Sequence, residues 1–260
     1  MELSTSLLVT RILAGIVFTL WSIEMIFVAN QKQTQAIWSF ENLIQDLTRG
    51  LPGPRVLKAL LSSSRALYIL PTIQLIGAIG LIWDLKPVVV VSLFIGHILT
   101  SIRFRGTFNG GSDMMANVVL MGLFIASLSE SNVVQSAGLV YISIHLFLSY
   151  LKAGLVKLRS QDWRSGQALF IFLKRSPILR ARKVGSFLAK HGGHARFLCW
   201  MVIGFELSFI LIPFGHHLIL FWALTAVLFH LLNFYFWGLN RFFWIWLTAW
   251  PSLIYVSNLI

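Results

Sequence analysis

The chain has a single cysteine, Cys199, and few charged residues. One cysteine excludes an intramolecular disulfide and a cysteine-rich metal site. Charged residues make up 12% of the chain, about half of what a water-soluble domain uses to cover its surface. The histidines do not lie at the spacings of metal ligands, so no metal is predicted. The low proportion of charged residues excludes an ordinary soluble domain.

Apolar residues dominate instead, at 57% of the chain. A helix needs about 20 such residues to cross a bilayer core, where only helices and closed barrels satisfy their backbone hydrogen bonds. About eight runs meet this need, which predicts an all-α integral membrane protein with about eight transmembrane helices. The predicted spans are 6–29, 66–83, 87–102, 113–130, 134–157, 197–213, 217–237 and 241–259. Because the first run carries Arg11 and Glu24 and has no small-residue cleavage site, we expect it to be a retained helix.

The two longest connections, about 30–65 and 158–196, are not polar linkers. Within 36–48, apolar residues recur every three or four positions, as on one face of a helix. The stretch "ALFIFLKRSPILRARKVGSFLAKHGG" mixes Leu, Phe and Ile with basic residues. Both segments are predicted to form interfacial amphipathic helices, the second of them on anionic headgroups. For the second segment, simple membrane anchoring by charge is favoured over a specific ligand role. A single domain, 1–260, is expected.

Most basic residues lie in connections on one side of the predicted bundle. Of the 21 Lys and Arg, ten lie within 157–196 and five within 30–65. The positive-inside rule then predicts cytoplasmic basic connections and both termini outside. The net charge of the chain is +12. We expect its basic residues to interact with a lipid bilayer and not with nucleic acid.

Several ionisable residues fall inside predicted spans, where a charge costs at least about 2.5 kcal/mol. If the spans alternate in direction, six of these residues converge on the half of the bundle nearest the basic connections, which is the pattern of a polar cavity. Structural hydrogen bonding or snorkelling is the alternative for each residue taken alone. In the fifth span, Tyr141, His145, Ser149 and Lys152 share one helical face, which is predicted to turn into the bundle. The converging residues are Glu24, His97, Asp113, Lys152, Lys157 and His230.

Six short motifs occur in order along the chain. The central one, "AGLVKLRSQDWRSGQAL" at 153–169, ends an apolar helix with Ala-Gly-x-x-Lys-Leu and continues into an acidic-Trp pair and a glycine. It resembles the central motif of the horizontally transferred transmembrane (HTTM) family, the membrane module shared with the vitamin K-dependent gamma-glutamyl carboxylase. The other similar stretches are "TRILAGIVF" at 10–18, "RFRGTFNGGSDMM" at 103–115, "GFELSF" at 204–209, "LFHLLNF" at 228–234 and "WPSLIY" at 250–255.

The resemblance implies a membrane enzyme that is carboxylase-like (a lyase) or a quinone-dependent oxidoreductase, with a reduced vitamin K-type quinone as its cofactor. Lys157 would be the base that deprotonates the quinone, because a desolvated lysine can accept a proton near neutral pH. Asp113 is the second predicted catalytic residue. The residues expected at the cofactor are Asn109, His97, Lys152, Glu206 and His230.

The resemblance also implies a bacterial cytoplasmic membrane as the location and a peptide or protein as the substrate. It departs from the carboxylase in the loop before the fourth span, where a histidine is replaced by the run from Asn109 to Asp113. It further implies a cytoplasmic N-terminus, opposite to the charge rule. Two alternatives stay open. One is a non-catalytic membrane subunit that matures, exports or gives immunity to a small secreted peptide, with a separately encoded soluble partner. The other, a transporter or channel, is disfavoured because the sequence shows no internal repeat and no pair of broken helices.

Overall fold

The computed structural model describes residues 1–31, 61, 63–104, 110–214 and 218–259. Within these ranges the regular secondary structure is all helical. The α-helices of the described residues are α1 (Leu3–Ala29), α2 (Ala66–Trp83), α3 (Pro87–Arg103), α4 (Gly110–Ser127), α5 (Asn132–Arg159), α6 (Gln161–Ser165), α7 (Gln167–Arg175), α8 (Leu179–Lys190), α9 (Gly192–Ser208), α10 (Ile219–Trp237) and α11 (Asn240–Ser257). A 3-10 helix, Phe209–Phe214, follows α9.

Each apolar run predicted as a span overlaps a helix of the described residues. By length and composition, five helical segments of the described chain can cross a membrane: α1, α2, α5, α10, and α9 extended to Gly192–Ile212. Helix α3 and the Gly111–Ser127 part of α4 are apolar but shorter. The chain is thus an all-helical protein with membrane-spanning character, as the composition predicts.

The chain divides into two compact units, and the division falls inside α5. The N-terminal unit covers Leu3–Leu139. There α2 packs against α3 so closely that a Cβ on Gly77 would lie 3.0 Å from the backbone of Leu93. In the same unit α3 buries His97 against Phe18 of α1, with ring centroids 5.1 Å apart.

The C-terminal unit covers Val140–Ile260 together with the first two residues. In it, α7 and α8 form a helix pair whose inner faces bury Leu173, Ala181 and Leu188. The pair is fixed to the end of α10, where the last turn leaves carbonyl groups without helical partners. Ser176 Oγ donates to Phe236 O at 2.7 Å, and Arg180 Nε donates to Tyr235 O at 2.9 Å.

The sequence predicted helices in both long connections. The 158–196 connection does contain α6, α7 and α8. The basic side chains of α7 and α8 are exposed: Lys174, Arg175, Arg180, Arg182, Lys183 and Lys190. The amphipathic stripe predicted for 36–48 lies outside the described residues.

Candidate functional site

A buried ion pair joins two of the motifs identified in the sequence. Lys157, in the last turn of α5, places its Nζ 2.6 Å and 2.7 Å from the two carboxylate oxygens of Glu206 in α9. The Glu206 side chain is 3% exposed and that of Lys157 is 17% exposed. Two charges at this depth are stable only as a hydrogen-bonded pair, and a carboxylate that accepts twice from one ammonium is such a pair.

The glycine of the central motif explains why the pair forms at this position. A Cβ added to Gly154 would lie 3.0 Å from both the backbone nitrogen and the side chain of Leu207. Helices α5 and α9 therefore approach each other to near backbone contact at Gly154. Lys157 lies one turn further along α5, and Glu206 directly precedes Leu207, so the close approach brings the two charged groups within hydrogen-bonding distance.

A tryptophan from the same motif completes the surroundings of the ammonium. The Trp163 ring, in α6, has its centroid 5.1 Å from Lys157 Nζ, which is cation–π distance. Gly166 ends α6 with φ of +90°, a conformation that glycine adopts without strain. One polar centre is thus built by Glu206 together with four residues of the central motif, namely Gly154, Lys157, Trp163 and Gly166.

A second polar contact lies in the same unit. Tyr150 and His230 form a hydrogen bond of 2.6 Å between the tyrosine hydroxyl and the histidine Nε2. Both side chains are buried, at 3% and 2% exposure. The Tyr150 ring is stacked on Phe209 at 3.9 Å, and Trp246 lies 5.5 Å from the His230 ring. The phenol hydroxyl and the histidine Nε2 therefore satisfy each other within an aromatic surrounding, whereas the buried His230 Nδ1 has no hydrogen-bond partner in the described part of the chain.

Sequence reasoning missed Tyr150. It selected the α5 face of Tyr141, His145, Ser149 and Lys152, and it predicted that this face turns into the bundle. That orientation is wrong, because Lys152 is exposed and the other three are only half-buried. The buried face of α5 carries Ile142, Leu146 and Tyr150 instead. The sequence signal for the buried face was an apolar stripe that ends in a tyrosine. The regular spacing of the four polar residues was given more weight than that stripe.

The remaining predicted site residues lie in the N-terminal unit or outside the residues that the structure describes. His97 is 1% exposed in α3. Asp113 is half-buried in the first turn of α4. Asn109 lies outside the described residues. Of the seven predicted site residues, Lys157 and Glu206 are joined by a direct contact, and His230 is bonded to Tyr150 in the same unit. The catalytic and cofactor roles of all seven stay predictions.

A surface groove lies next to α6. It has a volume of about 480 Å³ and is lined by residues of α6, of α9 and of the end of α5. The groove is open to the surface rather than enclosed. The lining residues are Leu158, Gln161, Arg164, Ser165, Arg196 and Trp200.

Comparison with protein-family models, with curated proteins and with solved structures finds no match to this chain. The likeness to the HTTM family accordingly rests on the sequence motifs alone.

Proposed function

We propose that the chain is a multi-pass membrane enzyme of the HTTM type that uses a reduced, vitamin K-type quinone in a carboxylase-like modification of a peptide or protein. The observation that carries this proposal is the buried pair of Lys157 and Glu206. Replacement of a buried ion pair by apolar residues of similar volume costs a protein little or no stability. A membrane chain that retains one at this depth points to a chemical use for it.

The residues around the pair fit a reduced quinone. Such a molecule presents phenolic hydroxyl groups on a flat aromatic ring. Lys157 is partly exposed and Glu206 holds two acceptor oxygens, so the pair offers both a donor and an acceptor to a hydroxyl group. The half-buried Trp163 ring beside the ammonium offers a flat wall for stacking. When bound, the quinone would supply an ionisable hydroxyl and the electrons for oxygen chemistry.

Glu206 gives Lys157 a way to act as a base. An ammonium cannot accept a proton, so Lys157 must first release one. The hydrogen bond from Nζ to Oε1 is 2.6 Å long, and transfer along it leaves a neutral amine beside a neutral acid. The amine nitrogen can then take a proton from a hydroxyl group placed against it.

The proposal includes eight transmembrane helices in a bacterial cytoplasmic membrane. Helices α3, α4 and α11 would join the five segments that already meet the length and composition needed to span a bilayer. The α7 and α8 pair would lie in the interface, because its outer surface combines exposed cations with exposed Phe172 and Phe187. By the charge rule this interface is cytoplasmic.

The test is to extract the protein gently from its native membrane and to identify co-purifying lipids by mass spectrometry. Wild type should carry a stoichiometric quinone, and Lys157→Ala should carry much less. Arg159→Ala is the matched control, because Arg159 lies in the same last turn of α5 but is exposed. If wild type binds quinone, turnover with labelled carbon dioxide is the next assay.

Retention of only bulk phospholipid by all three proteins would contradict the proposal. The chain would then fit the alternative, a non-catalytic subunit for a small secreted peptide. In that case Lys157→Ala should be tolerated, and charge reversal within 159–196 should abolish function.

A further inference from the structure

The groove next to α6 is lined by two arginines of the basic connection, close enough together to contact one ligand. Arg164 and Arg196 both line it, and neither is matched there by an acidic residue. Neither guanidinium forms an ion pair or a side-chain hydrogen bond with another residue in the described part of the chain. Between Arg159 and Arg196 the chain has one carboxylate, Asp162, against nine Lys and Arg. The groove is therefore strongly electropositive.

The backbone holds the two arginines together. Gly166 ends α6 against the start of α9, and a Cβ there would lie 2.5 Å from the backbone nitrogen of Arg196. This contact fixes the last turn of α6, which carries Arg164, on the first turns of α9. Ala195 is fully buried, so the α9 backbone at this point is part of the packed core. The backbone that carries the two cations is therefore fixed, and ligand binding has to order only their side chains.

The groove is also suited to a ligand that is part polar and part apolar. Arg196 and Trp200 are four residues apart in α9 and share one face. Trp200 is 41% exposed, and its neighbours Phe197 and Met201 are 65% and 55% exposed. Gln161 and Ser165 add hydrogen-bonding groups on the α6 side. Cations beside an apolar helix surface match a phosphate attached to acyl chains better than they match a free ion.

We propose that this groove binds the phosphate of an anionic phospholipid headgroup, with Arg164 and Arg196 as the paired ligands and Trp200 against the adjoining glycerol and acyl region. Guanidinium groups bind phosphate oxygens with two parallel hydrogen bonds, which gives the site geometric selectivity. The proposal depends on the groove alone and does not involve quinone binding at Lys157.

The test is native mass spectrometry of the full-length protein in detergent, titrated with phosphatidylglycerol and, separately, with phosphatidylcholine. Wild type should bind phosphatidylglycerol at least about tenfold more tightly than phosphatidylcholine, since two cations near a lipid headgroup contribute about a fivefold change each. Arg164→Gln and Arg196→Gln should each weaken phosphatidylglycerol binding about fivefold. Arg175→Gln and Lys190→Gln remove the same charge from exposed positions outside the groove, and each should change binding less than twofold.

Two further measurements distinguish a specific headgroup site from general attraction between lipid and cations. Arg164→Lys keeps the charge and loses the planar fork, so it should fall between wild type and Arg164→Gln. Inorganic phosphate should not displace the lipid at equal concentration. Equal weakening by groove and control variants would show a diffuse basic surface and overturn the proposal. It would also be overturned by equal affinity for the two lipids or by displacement with inorganic phosphate.

Discussion

Gly154 of α5 and Leu207 of α9 lie so close that a Cβ on the glycine would be 3.0 Å from the leucine backbone nitrogen. This contact sets the distance over which Lys157 must reach Glu206. Gly154→Ala should force the helices apart and destabilise the protein by about 1–2 kcal/mol. Gly204→Ala is the matched control, because a Cβ there meets nothing within 4 Å. It should be neutral or stabilising by up to about 1 kcal/mol. Thermal unfolding in one detergent compares the two, and equal effects would contradict the close approach.

The Lys157–Glu206 pair predicts strong coupling between two substitutions. Lys157→Met leaves a carboxylate buried without its cation and should cost roughly 3 kcal/mol, and Glu206→Met should cost a similar amount. The double variant removes both charges and should regain most of that loss. Thermal unfolding of the four proteins gives the coupling energy. Lys152→Met, on the exposed face of α5, should stay within about 0.5 kcal/mol of wild type. Additive losses in the double variant would mean that the pair does not form.

The Tyr150–His230 hydrogen bond predicts a second, independent coupling. Tyr150→Phe leaves the His230 Nε2 without its 2.6 Å partner, and His230→Leu does the same to the buried phenol. Each should cost about 1–3 kcal/mol, with the double variant less harmful than the sum. Tyr141→Phe in the same helix is the control, because the Tyr141 side chain is only half-buried. If Tyr141→Phe destabilised the protein as much as Tyr150→Phe, the bond would not be the cause.

Cysteine labelling can settle the orientation. Cys199 is fully buried and can be replaced by alanine to give a cysteine-free background. Lys86 is 68% exposed between α2 and α3, and Lys190 is exposed at the end of α8. In intact cells a membrane-impermeant maleimide should label Lys86→Cys and should label Lys190→Cys only after permeabilisation. The opposite pattern would support the orientation that the HTTM resemblance implies.

The helices were predictable because a bilayer-length apolar run has few alternatives to a helix. The run 66–83 and the helix Ala66–Trp83 coincide, and Pro87 begins α3 where proline is tolerated, at the first helical position. The partner of Lys157 was not predictable. Sequence marks Lys157 and Glu206 as costly in a membrane, but their contact depends on the approach of α5 to α9 at Gly154. Tyr150 was not predicted, because an uncharged side chain costs little in a membrane and so does not stand out in the sequence.

The bidentate contact between Lys157 and Glu206 has a consequence for inheritance. Loss of either residue alone strands a charge, whereas loss of both does not, so the two positions should change together across related chains. Residue 154 should stay glycine wherever both charges are kept, because any side chain there would separate them. A chain that kept the lysine and the glycine but lost the glutamate would need another acid in its place. Covariation at these three positions thus gives a criterion for finding relatives that overall similarity does not reveal.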